Sequence, residues 1–330
     1  MRVLLLLTAF ALIGHTTSAQ LLKKLKESKP LASLTEGKKP ITTNFKDVNL
    51  NGKLDASFGN DATYTPLHSM KKNTDGAYEL KPGFYQITNL SYCLKAGTNG
   101  PAKGDAYGLA YLEGKMDDIV EAILIKSQQM WGTHAKDSSK SVAGQVASNA
   151  IRVSQRDVQL LLWAIIAKTH FEDMAGRTKA VAIALLSPEQ IVKLNGGAIK
   201  SAMNFATDKG LVDKPQWMQK MEQAEQNLRS LYARGDATYE DFERLAVLTG
   251  MAAEPNPVEA GTWFRHEDNY FVRFIPQGYP RTTIQVYVPE GPSVQFKATK
   301  MVATPSDSRQ RLAQTDTGVE EYQRSPFAKL

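Results

Sequence analysis

Apolar and polar positions divide the chain into stretches of different period. An apolar run from Leu4 to Ile13 follows Met1-Arg2-Val3 and ends at Thr17-Ser18-Ala19. From Gln20 to about Gly76 the residues are Lys-rich and broken by Pro30, Gly37, Pro40, Gly52, Gly59 and Pro66, without a sustained period, which predicts an extended, partly disordered leader over 20–76. Asn73 to Tyr92 alternates loosely and predicts short strands, with a turn at Lys81-Pro82-Gly83. Asp117-Asp118 opens a helix whose Ile119, Val120, Ile123 and Leu124 form an apolar stripe, and residues 132–149 read as a linker.

The strongest helix signal comes next. Ser154 with Asp157 has capping-box spacing, and the run Val158 to Ala167 behind it is almost wholly apolar. A helix apolar on nearly every side belongs in the middle of a domain. Ser187-Pro188-Glu189 starts another helix, Trp217 to Ala233 is long and amphipathic, and Thr238 to Leu248 closes at Gly250. After Pro255 and Pro257 the period changes to two: Tyr270 to Ile275 and Thr283 to Val288 read as strands around a turn through Gln277-Gly278-Tyr279-Pro280. The expected fold is α+β, with a mainly helical domain over 77–250, a small antiparallel β-rich module over 258–300, and a polar, disordered tail over 301–330.

The start of the chain changes the picture of where the protein works. A basic residue, a short apolar core and a small-x-small site at Ala19 make residues 1–19 a secretory signal peptide. The expected location is secreted, periplasmic or at the cell surface, and no later stretch is apolar enough to span a membrane. Forty Lys and Arg against 34 Asp and Glu give a formal charge of +6, but the basic residues are dispersed, so nucleic acid is not an expected partner. The chain has a single cysteine, Cys93, so no disulfide within the chain explains it. In an exported protein such a thiol is either buried and inert or reactive.

Two stretches carry candidate chemistry. Asp47, Asn49, Asn51 and Asp55, with Gly52 between them, match the first half of a calcium loop, although Phe58 stands where the closing Glu would be. Calcium is the one cofactor these residues bring into question. The second stretch joins Cys93 to Gln159 near the start of the apolar helix, with Trp163 one turn further on the same face. A thiolate can attack the side-chain carboxamide of Gln, expel ammonia and leave an internal thioester. That chemistry needs a reachable thiol, a Gln held on a rigid element and apolar shielding from water.

Tyr92-Cys93-Leu94 and Gln159-Leu160-Leu161-Leu162-Trp163 resemble the two motifs of bacterial thioester domains in secreted adhesins, over about residues 85–175. The resemblance implies that Cys93 and Gln159 form the bond, that Tyr92 and Trp163 support it, and that amines on proteins or surfaces are the targets. Adhesion through self-modification, rather than turnover, is the function it implies.

Two other classes stay open. One is a non-covalent structural or binding subunit of the cell envelope with Cys93 inert, free cysteine being among the most buried residue types. The other is a cysteine hydrolase with Cys93 activated by His134, placed in a loop, or by His170, which would fall on the Gln159 face of an unbroken helix about 16 Å along its axis. The aromatic set Tyr270, Phe271, Phe274, Tyr279 and Tyr287 offers a possible saccharide platform or ordinary cross-strand packing.

Overall fold

The computed structural model describes residues 41, 48, 50, 52–102, 104–136, 151–195, 216–250, 259–306 and 308–319. The expected signal segment 1–19 and three members of the expected calcium-type loop, Asp47, Asn49 and Asn51, lie outside them. In chain order the strands are β1 (Thr65–Pro66), β2 (Tyr78–Leu80), β3 (Gly83–Cys93), β4 (Thr98–Asn99) and β5 (Gly108–Tyr111). Six helices follow among the described residues: α1 (Asp117–Lys136), α2 (Gln155–Ile166), α3 (Gly176–Leu185), α4 (Pro188–Leu194), α5 (Gln216–Arg234) and α6 (Tyr239–Ala246). The chain then returns to strands: β6 (Val247–Leu248), β7 (Phe264–Arg265), β8 (Phe271–Pro276), β9 (Arg281–Val288), β10 (Val294–Phe296), β11 (Met301–Thr304) and β12 (Leu312–Gly318).

The strands overturn the expected α+β division into a helical domain and a separate β module. One eight-stranded sheet runs β5-β11-β12-β3-β9-β8-β7, with β1 added parallel to β3. Every pairing along that path is antiparallel. β5 also packs against β7 and β8, so the two edges approach and the sheet is nearly a closed barrel. Gly108 on β5 makes part of this approach possible, because a Cβ there would meet Val48 at 2.4 Å and Phe264 of β7 at 3.3 Å.

The central strand, β3, comes from the stretch expected to give short strands within the mainly helical domain. It pairs with β9 from the expected module and with β12 from the expected tail. The tail reading fails because Gln314, Thr315 and Asp316 are polar yet buried, each with a hydrogen-bond partner; Thr315 Oγ1, for example, donates to the Leu90 carbonyl at 3.0 Å. A buried polar strand gives no alternating signal. The later part of the expected leader is ordered against the same sheet: Leu54 bridges Trp263, Leu67 is fully buried, and Phe58 packs on Phe84, Trp263 and Tyr287.

The helices form a layer over β3 and β12, with α1 against β12 and α2 against β3. α2 is the inner helix of that layer, and Val158, Leu161, Leu162, Trp163 and Ala164 are all 0% exposed. Its start is fixed by reciprocal bonds: Ser154 Oγ accepts the Asp157 N–H, and the Asp157 carboxylate accepts the Ser154 N–H at 2.8 Å. Its end is turned by Lys168, which adopts the left-handed region at φ 58, while Arg229 of α5 donates to the Ala167 carbonyl at 2.6 Å. Serine and threonine caps with the same reciprocal pattern start α4 at Ser187 and α6 at Thr238. No helix among the described residues is long and apolar enough to cross a membrane.

Candidate functional site

Antiparallel pairing of β3 with β9 begins at Gly83–Val288 and runs to Leu90–Arg281, and Ser91 N–H still reaches the Pro280 carbonyl at 3.0 Å. β9 starts there, so the last residues of β3 have no strand on that side. On the opposite side Leu94 N–H bonds to the Arg311 carbonyl, which directs the peptide groups of Cys93 toward the vacated edge. A buried N–H and C=O cannot be left without partners cheaply.

α2 fills that edge with two amides. Gln159 Oε1 accepts the Cys93 N–H at 2.8 Å, and Gln159 Nε2 donates to the Cys93 carbonyl at 3.1 Å. One turn earlier, Gln155 Nε2 donates to the Pro280 carbonyl at 2.8 Å. A primary carboxamide carries the same donor and acceptor as a peptide group, so Gln159 stands in for the next residue of β9. Helical i, i+4 spacing gives about 6 Å of rise, close to the i, i+2 repeat of a strand, which lets Gln155 and Gln159 follow Ser91 and Cys93.

The structure therefore brings Cys93 and Gln159 together across 66 positions of sequence, with Cys93 0% and Gln159 2% exposed. Tyr92 is buried beside them. Trp163 is buried one turn along α2 and lies against Tyr239, ring centroids 5.6 Å apart. Burial pushes the Cys93 thiol well above its ordinary pKa, and the nearby charge of Glu243 pushes it further. The sulfur is held as a thiol in the resting protein.

A cavity of about 360 Å³ opens beside Gln159 and Tyr92. Its walls include Tyr92, Gln159, Tyr239, Glu243, Tyr279 and Arg156. Tyr239 and Tyr279 share a hydroxyl hydrogen bond at 2.8 Å, and Tyr279 in turn donates to Glu243 Oε1. Burial raises the pKa of both phenols, and for Tyr279 the bond to Glu243 raises it further. Arg156 lies over the Tyr239 ring, 4.6 Å from its centroid, and is paired with Glu240 at 2.8 Å.

The remaining sequence candidates that fall among the described residues are dispersed. Asp55 is exposed, while Phe58, at the closing position of the calcium-type loop, belongs to the aromatic cluster around Trp263. The described residues hold no group of three His, Cys, Asp or Glu side chains able to bind a metal ion. His170 does not continue the Gln159 face: α2 ends at Ile166, and His170 precedes a separate 3-10 turn at Phe171–Asp173. His134 is in α1 rather than in a loop. Of the aromatic set proposed for saccharides, Tyr270 and Phe274 are buried in the core, and Tyr287 stacks on Phe84 at 4.7 Å.

Sequence reading did not find Gln155, Tyr239 or Glu243, and it placed Tyr279 only in a turn and in the aromatic set. Tyr239 and Glu243 share a helix face at i, i+4 spacing, but nothing in the sequence ties that face to Cys93. Comparison with family models, with curated proteins and with solved structures found no match.

Proposed function

We propose that this chain is an exported attachment protein whose Cys93 sulfur and Gln159 carboxamide form an internal thioester, offered to an amine on a partner protein or surface. The observation that carries the reading is the seating of the Gln159 carboxamide on the backbone of Cys93 itself, in a buried setting beside a cavity. Three features support the chemistry: a thiol on the residue whose backbone Gln159 holds, a Gln on a rigid helix, and burial under Trp163 and the helical layer. The bond would close a loop of 66 residues. On the cross-link entropy model it would stabilise the fold by about 4 kcal/mol.

Intact mass of the secreted chain tests this. Loss of one ammonia, regained as methylamine on incubation with that amine and absent from Cys93→Ala and Gln159→Ala, is the expected result. An unmodified mass would overturn it.

A second reading has its own support: the amide of Gln159 already has a structural task in completing the edge of β3. In that case Cys93 is an inert core residue of a non-covalent envelope subunit, and its thiol should label only on unfolding. The hydrolase reading is weaker, because no histidine is among the residues that line the cavity.

A further inference from the structure

The cavity beside Gln159 holds a group that a mere shield would not need. Tyr239 and Glu243 are one turn apart on α6, and Tyr279 lies in the turn before β9, so two separate elements deliver the hydrogen-bonded chain Tyr239–Tyr279–Glu243. Packing alone would be served by apolar side chains, without bringing a carboxylate toward a buried thiol. Glu243 is the one carboxylate among the residues that line the cavity, and Gln159 lines the same space.

We propose that Glu243, extended through the Tyr279 and Tyr239 hydroxyls, is the acid–base group of this site and selects a primary alkylammonium such as a lysine side chain. The proposal rests on the thioester reading above. As the link forms, the Cys93 S–H proton passes to Glu243 and the sulfur bonds to the Gln159 carbonyl carbon. The C–N bond then breaks, and Nε2 leaves as ammonia with the proton returned from Glu243. In the opening step an incoming alkylammonium gives one proton to Glu243, and the freed amine attacks the same carbon. The C–S bond breaks, the sulfur takes a proton back as Cys93 S–H, and the second amine proton is released as the amide to Gln159 forms.

The walls of the cavity fit such a guest. Tyr239 and Tyr279 present phenol groups beside the carboxylate, a setting that favours an alkylammonium with an apolar stem. Arg156 is engaged by Glu240 and by the Tyr239 ring, so its charge is partly offset. Glu243 shares the cavity wall with Tyr239 of its own helix, Arg156 of α2, and Tyr279 and Arg281 around the start of β9, and its charge acts on the Cys93 thiol of β3.

The test follows ammonia loss and amine addition by intact mass in the full chain. It compares the wild type with Glu243→Gln and Tyr279→Phe and uses methylamine and hydroxylamine as probes. Methylamine is cationic at neutral pH and must lose a proton before it attacks; hydroxylamine is already neutral. Glu243→Gln should slow methylamine addition on the order of 100-fold while hydroxylamine opens the link at close to the wild-type rate. Tyr279→Phe keeps the carboxylate but breaks the relay and should show a smaller defect of the same kind. Failure of Glu243→Gln to form the link, with Tyr279→Phe forming it slowly, also supports the assignment. Wild-type rates with both probes in both variants, or equal slowing with both, would overturn it and leave the thioester standing. Absence of ammonia loss from the wild type would instead remove the thioester, and this assignment with it.

Discussion

Gln159 holds the backbone of Cys93 by two hydrogen bonds, Oε1 to the N–H at 2.8 Å and Nε2 to the carbonyl at 3.1 Å. The partnership is with the peptide group rather than with the sulfur, and this separates structure from chemistry. Gln159→Ala and Cys93→Ala both abolish any covalent link, but only Gln159→Ala leaves a buried N–H and C=O unpaired. Gln159→Ala should therefore be less stable than Cys93→Ala by about 2–4 kcal/mol in chemical denaturation. Equal stabilities would mean that the two hydrogen bonds contribute little.

The start of α2 offers a second test. Asp157 accepts from the backbone and hydroxyl of Ser154 and from Arg177, whose Nε lies at 2.8 Å. Burial alone would raise the Asp157 pKa, but the bonds from Arg177 and Ser154 outweigh it and hold the carboxyl below the usual range. Such a group adds stability above its unfolded pKa, and that stability is lost as pH falls through the folded value. Ser154→Ala should cost about 1 kcal/mol. Asp157→Asn should cost more at neutral pH, and its deficit should shrink in acid titrations below about pH 4.

Asp316 on β12 has the opposite sign. Burial raises its carboxyl to about 6, against the pull of Lys72 and of the Ala298 N–H that it accepts. A carboxyl raised in the folded state favours folding when protonated and loses that contribution as pH climbs from about 4 to about 6, the span being worth roughly 3 kcal/mol. Stability measured by denaturant midpoint should fall over that window. Asp316→Asn should flatten the curve and exceed the wild type near neutral pH.

Gly97 lies between β3 and β4 at φ +69, in the left-handed region, and a Cβ there would sit 2.8 Å from the Lys220 carbonyl and 2.7 Å from the Ala224 methyl of α5. Gly97→Ala should lose at least about 2 kcal/mol, combining strain with a backbone clash. A thermal midpoint unchanged from the wild type would show that α5 can shift outward at no cost.

What could be read in the sequence was local. The Ser154–Asp157 cap, the apolar α2 and the Thr238 start of α6 each declare themselves within a few residues, through spacing that sterics and capping impose. The barrel-like sheet did not, because its defining pairings are distant: Thr315 reaches Leu90 across 225 positions. β3 also carries Asn89 and Ser91 as buried polar residues, which break the pattern of a core strand. Cys93 and Gln159 could be singled out by type and motif. Glu243 and Tyr279 could not, since their meeting depends on how α6 lies against the turn before β9.

The pairing of β3 with β12 also bears on how the molecule is assembled. The central strand must wait for a partner made more than two hundred residues later, so loop-closure entropy opposes the seam until the helices have drawn the ends together. A fragment ending before Leu312 would leave both β3 and β11 with bare edges. Such a fragment should self-associate through those edges.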